Sequence, residues 1–549
     1  TVRADSQTGP ADMVIVNGRI WTGVEPIAGP EKEPLATALA IKDSKIIAVG
    51  GDAEIRNQVG PSTQVIDANR RRVIPGMTDS HVHMIGGGLQ LGRLNLREVK
   101  SKEEFIKAVA EAAKKRKPGE WILGGRWSVE SWAESASPKK DWIDSVTRTV
   151  PVLLWRMDGH QALVNSVALQ LTGITDYTPK DPAGGEIERD RYTMAPTGIL
   201  KESAIDWVER IVPKPSAAEL DEALLRAIKL ANSFGITSVH DMSEPNHLEP
   251  FQRAHRSGAL TIRVTSYLSV EDWTAHVNDV QRFPIHDELL RVAGCKGYMD
   301  GSLGSRTAYM HEPYADASTD SKYPRGQLTA FANPPETFQN RINKLDEAGL
   351  QSAVHAIGDE GIHLLLNAYE TVSKNGRKDS RHRVEHAQHL RVEDIPRFAK
   401  LGVVASMQPY HKADDARYAE KALGSARLGG SYAFRQLVDA GALVVFGSDF
   451  PVVTLDPFAG IHSAVTAKTL TGEVWLKDHS LTTAEALRSY TVWPQKAIHR
   501  EDQLGTLEAG KLADIAILSE DPLSVPADNL ATIRAWKTIL GGKIVHSSE

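Results

Sequence analysis

The chain is poor in cysteine. Its single Cys295 rules out an intrachain disulfide, and such usage fits a reducing compartment. Long apolar runs are missing too. None approaches the ~18–20 residues of a bilayer-spanning helix, and the mean hydropathy is −0.29, so no membrane partner is expected. There is no basic excess. Lys and Arg number 64 against 70 Asp and Glu, a net charge of −6, which removes nucleic acid from the expected partners. Low-complexity segments and short repeats are also absent. With 41% hydrophobic residues in 549, the chain can bury a large core, and disorder is excluded for most of it. A small-molecule substrate is the expected partner, with a homodimer as the commonest closed assembly. Residues 1–12 read as a loose polar terminus starting at Thr1 rather than Met. This raises the expectation of a removed upstream segment and leaves location open between cytoplasm and export.

What is present is an uneven distribution of short strands. Residues 13–20, 37–49, 65–67 and 72–74 read as strands with frequent turns, and 513–518, 533–540 and 543–546 repeat that texture around Gly541-Gly542. The two ends, 1–73 and 500–549, are expected to build one composite β-sandwich. Between them, apolar runs of strand length occur at 74–82, 236–240, 261–268, 291–299, 350–354, 382–385, 402–407 and 443–448. Helical patterns such as 217–234, 335–348 and 432–440 alternate with them. Strand–helix repetition means parallel strands, and eight of them close an α/β (β/α)₈ barrel over 74–499. The interval from 83 to 236 is too long for one helix, so about 120–210 is expected to be an inserted subdomain after strand 1. Its tryptophans, Trp121, Trp127, Trp132, Trp142 and Trp155, either line a pocket or fill the insertion's own core.

Chemistry-bearing residues gather at the C-terminal ends of those runs, where such barrels place their sites. Strand 1 ends in His81-Val82-His83, and residues i and i+2 of a strand face one side. Lys296 lies within the apolar stretch of strand 4. A lysine kept neutral by desolvation can take up carbon dioxide, and the carbamate can bridge two metal ions. His355, His386 and Asp449 end strands 5, 6 and 8. Two imidazole pairs, a lysine and a carboxylate at strand ends point to a metal site.

These residues lie in IPGMTDSHVH (74–83), KGYMDGSLGSRTA (296–308), HAIGD (355–359), EHAQ (385–388) and GSDFP (447–451). DGHQALVNSVAL (158–169) and LGTLEAGKLADIAIL (504–518) belong to the same set. Together they resemble the amidohydrolase superfamily, in the branch of YtcJ-like proteins and N-substituted formamide deformylases, over essentially the whole chain. The resemblance implies a (β/α)₈ barrel, a flanking sandwich from both termini and an insertion after the first strand. It also implies that His81, His83 and Asp449 hold a more buried metal and that His355 and His386 hold a second. Carboxylated Lys296 would bridge the two. Zinc, two ions per chain, is the expected cofactor, with iron, manganese, cobalt or nickel as alternatives.

The activity so implied is hydrolysis of a non-peptide C–N bond, in an amide or N-substituted formamide, by metal-activated hydroxide. Asp449 takes the proton from water and returns it to the leaving amine. A deaminase, or a carbamate or cyclic-amide hydrolase, is the alternative, with a non-catalytic scaffold further off. Candidate substrate contacts are His160 in the insertion, Asp300 and Arg306 in DGSLGSR, and His411 after strand 7. Ser302 accompanies the DGSLGSR pair, and Asn165 accompanies His160. Arg306 anchors a polar group or makes a structural salt bridge; His240 is a site residue or a polar strand end.

Overall fold

A computed structural model describes residues 9–24, 36–127, 129, 132, 137–156, 161–176, 178, 181–182, 185–244, 247–269, 273, 277, 287–317, 319, 321 and 323–548. Its centre is an eight-stranded parallel sheet. The strands are β1 (Met77–Val82), β2 (Ile236–Ser243), β3 (Arg263–Ser269), β4 (Leu290–Tyr298), β5 (Gln351–Ala356), β6 (Arg383–His386), β7 (Val404–Met407) and β8 (Leu443–Phe446). Each of the eight expected runs became a strand of this sheet. β1 and β2 are buried throughout, as parallel strands covered on both faces must be. Closure runs through the residues after β8. Asp449 N donates to His81 O at 2.7 Å, and His83 N to Phe450 O at 2.9 Å. The expected helices also form, as Ala217–Ser233, Pro335–Glu347 and Phe434–Asp439.

Both chain ends build the β-sandwich. One sheet orders Lys45–Gly50, Ala38–Lys42, Met13–Val16 and Gln64–Asp67. The other orders Arg19–Ile20, Arg72–Pro75, Ile515–Leu518, Ala535–Leu540 and Lys543–Ser547. Alternation decides the packing. Met13 and Ile15 join Val73, Ile515, Ile517 and Ile539 in the core between the sheets, while Val14 and Val16 pack on the opposite face around Ile55. Gly541 and Gly542 take φ of 52° and 76°. That left-handed pair closes a tight hairpin, the reason for two glycines there.

A separate compact unit spans Gly88–Ala223. It is wider than 120–210, because Phe105 and Val109 of helix Lys102–Ala113 pack with Ile122, Trp127 and Trp132. The tryptophans serve this unit's own cores. Trp127 and Trp132 are buried and Trp142 packs against them, while Trp121 and Trp155 flank a second cluster. Asn165 is structural: it caps helix Ser166–Thr172 and also accepts from Val152 N at 3.0 Å. No described helix is long and apolar enough to cross a membrane.

Candidate metal centre

The barrel brings the expected ligands to one place. Ring centroids of His81 lie 5.6 Å from His83 and 4.9 Å from His386, and His386 lies 4.5 Å from His355. Asp449 Oδ1 stands 3.2 Å from His83 Nε2 and 3.4 Å from His81 Nε2. Lys296 Nζ is 3.4 Å from the same nitrogen of His81. Gly447 permits this approach of β8 to β1, since a Cβ there would meet His81 N at 2.4 Å. Asp449 and His386 both adopt left-handed backbone, with φ of 57° and 74°. For non-glycine residues that is unfavourable, and it clusters at functional sites.

Each imidazole is fixed by one nitrogen and turns the other into the cluster. His81 Nδ1 donates to Glu385 Oε2 at 2.6 Å. His83 Nδ1 faces Met242 O at 3.0 Å, His355 Nε2 faces Gly301 O at 3.0 Å, and His386 Nδ1 faces Gln408 Oε1 at 2.7 Å. All four partners are acceptors, so the bonded nitrogens carry the protons. The remaining nitrogens of His81, His355 and His386 keep a lone pair, the form a metal ligand needs, while that of His83 faces Asp449 Oδ1, which makes the ring more basic despite its burial.

The electrostatics suit a cation. Burial raises the Asp449 carboxyl, but His81, His83 and His386 outweigh it and hold the group well below the ordinary carboxylate range. Burial, reinforced by Lys296, brings His81 and His355 down to about 4. Burial also pulls Lys296 down to about 8, and no described carboxylate forms an ion pair with it. Beneath His81, Glu385 is gripped by Arg383, whose Nε donates to Oε1 at 2.6 Å. Arg383 also donates to Ser80 O at 2.6 Å, to Ser406 Oγ at 2.9 Å and to His240 Nδ1 at 2.8 Å. His240 is therefore a buried strut of this network.

A cavity of about 400 Å³ opens over the cluster. Ser302, Leu303, Tyr298, Tyr418, Asp414 and Val452 are among its walls. His411 lines it as well, stacked at 10° on His386 with centroids 6.3 Å apart. Its Nε2 is buried and has no hydrogen-bond partner among the described residues. Asp300 and Arg306 are placed differently. The Asp300 carboxylate accepts from Tyr309 N, Ile357 N and Gly358 N at 2.8–3.0 Å, and burial pushes it up to about 7. It braces the loops after β4 and β5. Arg306 pairs with both oxygens of Asp316, at 2.9 and 2.6 Å. His160 lies outside the described residues. Glu385, Gln408 and Tyr298 were not singled out from the sequence. The Arg-x-Glu alternation in RVEH was the available signal, since i and i+2 put two charges inside an apolar barrel.

The donor set fits divalent metal. His81, His83 and Asp449 form one group able to hold an ion, and His386, His411 and Asp449 another. The pattern of the amidohydrolase family matches residues 64–546. Over 97% of its length the chain is 36% identical to protein LONG AFTER FAR-RED 3 of Arabidopsis thaliana, covering 91% of that protein. It is 32% identical to the putative amidohydrolase YtcJ of Bacillus subtilis, over 96% of this chain and 99% of that one. With the N-substituted formamide deformylase of Arthrobacter pascens it shares 26% identity over 97% of both. An uncharacterized metal-dependent hydrolase from Pyrococcus horikoshii superposes with a TM-score of 0.75 at 27% identity, over 94% of this chain and 99% of that one. The chain belongs to the amidohydrolase family and is a metal-dependent hydrolase of C–N bonds.

Proposed function

We propose that the chain hydrolyses a non-peptide amide, an N-substituted formamide being the specific substrate class, at a two-ion centre. One observation carries the reading. Four imidazoles, each anchored through one nitrogen, line one cavity together with Lys296 and Asp449. His81, His83 and Asp449 would hold the first ion, and His355 and His386 the second. Zinc suits these imidazole and carboxylate donors. A divalent ion bound there supplies Lewis acidity and makes water acidic near neutral pH.

The chain's own groups do the rest. Asp449, held ionised by its histidines, accepts a proton from water at Oδ1 and delivers it to the departing amine nitrogen. His411 offers its unpaired Nε2 as a donor to the carbonyl oxygen where negative charge develops. Lys296 in its neutral form could add carbon dioxide, with the N–C bond formed and one proton lost, and the resulting carbamate would offer oxygen donors to the metal centre. The 26% identity with a deformylase supports the substrate class.

The test is a panel of N-substituted formamides, ureas, cyclic imides and aminopurines, scored for formate, ammonia and amine. The expected result is formate with one equivalent of amine. Ammonia release instead would overturn the substrate class, and failure of added zinc to restore a chelator-treated enzyme would overturn the metal reading.

A further inference from the structure

The four imidazoles do not have equal partners. His81 donates to a carboxylate, Glu385 Oε2, at 2.6 Å. His83 and His355 face backbone carbonyls, and His386 faces the neutral amide of Gln408. A carboxylate behind a histidine makes its other nitrogen a stronger donor to metal than a neutral acceptor does. Glu385 is fully buried and locked by Arg383, whose guanidinium reaches β1 through Ser80 O, β7 through Ser406 Oγ and β2 through His240. A buried ion pair of this kind rarely stabilises a fold beyond an apolar replacement, so its presence in the barrel core calls for another reason. Charge adds to the asymmetry. Asp449 Oδ1 stands within 3.4 Å of both His81 Nε2 and His83 Nε2; it also groups with His386 and His411, while the carboxylate beside His355, Asp300, approaches only to 3.7 Å, on the nitrogen that faces Gly301 O.

We propose that the two halves of the cluster bind metal with unequal strength and that Glu385, positioned by Arg383, sets the difference. The half formed by His81, His83 and Asp449 fills first and retains its ion. The half formed by His355 and His386, with His411 beside them, takes the exchangeable one. The inference rests on the two-ion reading above. Glu385 is thus a positioning residue for the metal centre. It touches no reacting atom.

The experiment is zinc competition on the full chain. Metal-free protein is titrated with Zn²⁺ against chelators of graded strength, and bound ions are counted at each step. Wild type is expected to lose one ion to a weak chelator and the second only to a strong one. Glu385→Gln should weaken the strongly held ion roughly 10–100-fold and leave the other step in place. Glu385→Asp, which keeps the charge, should recover part of that loss. If Glu385→Gln fails to fold, the wild-type titration with His83→Ala and His386→Ala decides alone. His83→Ala must then remove the strongly held ion and His386→Ala the weakly held one. Two ions leaving wild type in one step, or a Glu385→Gln defect confined to the weakly held ion, would overturn the proposal. Saturation at one ion or none would overturn the two-ion reading itself and the proposal with it.

Discussion

Strand β6 is flanked by two buried histidines that do opposite work. His382, just before the strand, has each ring nitrogen facing a group inside the protein. Its Nδ1 accepts from Ser352 N at 3.1 Å, its Nε2 lies 3.3 Å from Asp346 Oδ1, and Tyr369 stacks on the ring at 5.1 Å. His386, at the strand's other end, has one nitrogen engaged and one turned to the cavity. Burial lowers both rings, so titration does not distinguish them. The difference is what the second nitrogen faces, a buried carboxylate for His382 and the cavity for His386. A histidine paired within the protein stabilises; one with an oriented lone pair in a cavity waits for a ligand.

The largest test of that distinction is at the centre of the free cluster. Asp449→Asn keeps the shape of the side chain and removes its basicity. Turnover of a formamide should fall about 10²–10⁴-fold, while the melting temperature stays close to wild type. Unchanged turnover would assign the proton transfer elsewhere.

The two histidines themselves give the next effect. His386→Ala should lose one bound zinc and lower turnover by at least about tenfold, the lower end for a group that positions a catalytic ion. His382→Ala should keep both ions and the turnover constant but melt earlier, by about 1–3 kcal/mol for buried groups left unpaired. Equal metal loss in both variants would erase the comparison.

Asp346, the partner of His382, sharpens it through pH. Burial acts to raise its carboxyl, but His382, Ser380 and Arg377 prevail and hold it well below the ordinary value of 3.8. A carboxyl depressed on folding contributes stability that is present above its unfolded pKa and lost as pH falls through the folded one. Wild type and Asp346→Asn should therefore differ most above about pH 4, and their melting curves should converge in stronger acid. A gap that widens in acid would reverse the sign.

The barrel was legible because fully buried parallel strands leave long apolar runs, and β1 to β8 each overlap an expected interval, several running one to three residues past its end. The gathering of His81, His83, Lys296, His355, His386 and Asp449 was legible for a related reason, since polar residues that close such runs sit at one end of the barrel. The status of each histidine was not. His382 and His386 stand four positions apart in HRVEH, and only Ser352 and Asp346, distant in the chain, tell them apart. The reach of the inserted unit was hidden too, because Phe105 and Val109 declare their partners only in space. Asp300 looked like a contact group because it follows Lys296 closely, yet three backbone amides claim its oxygens.

The smallest effect is expected at Arg306, which shares the DGSLGSR loop but not the cavity wall. Its two hydrogen bonds to Asp316 are partly exposed, with 28% and 20% of the side chains accessible, and such pairs contribute about 0–1 kcal/mol. Its backbone is left-handed, with φ of 61°, a conformation that glycine adopts without cost. Arg306→Ala loses the pair and keeps the strain, whereas Arg306→Gly loses the pair and relieves it. The glycine variant should match or exceed the alanine variant in melting temperature, and both should leave KM for a neutral formamide within about twofold, well under the ~1.4 kcal/mol of a tenfold change. A tenfold rise in KM in both would return Arg306 to the substrate.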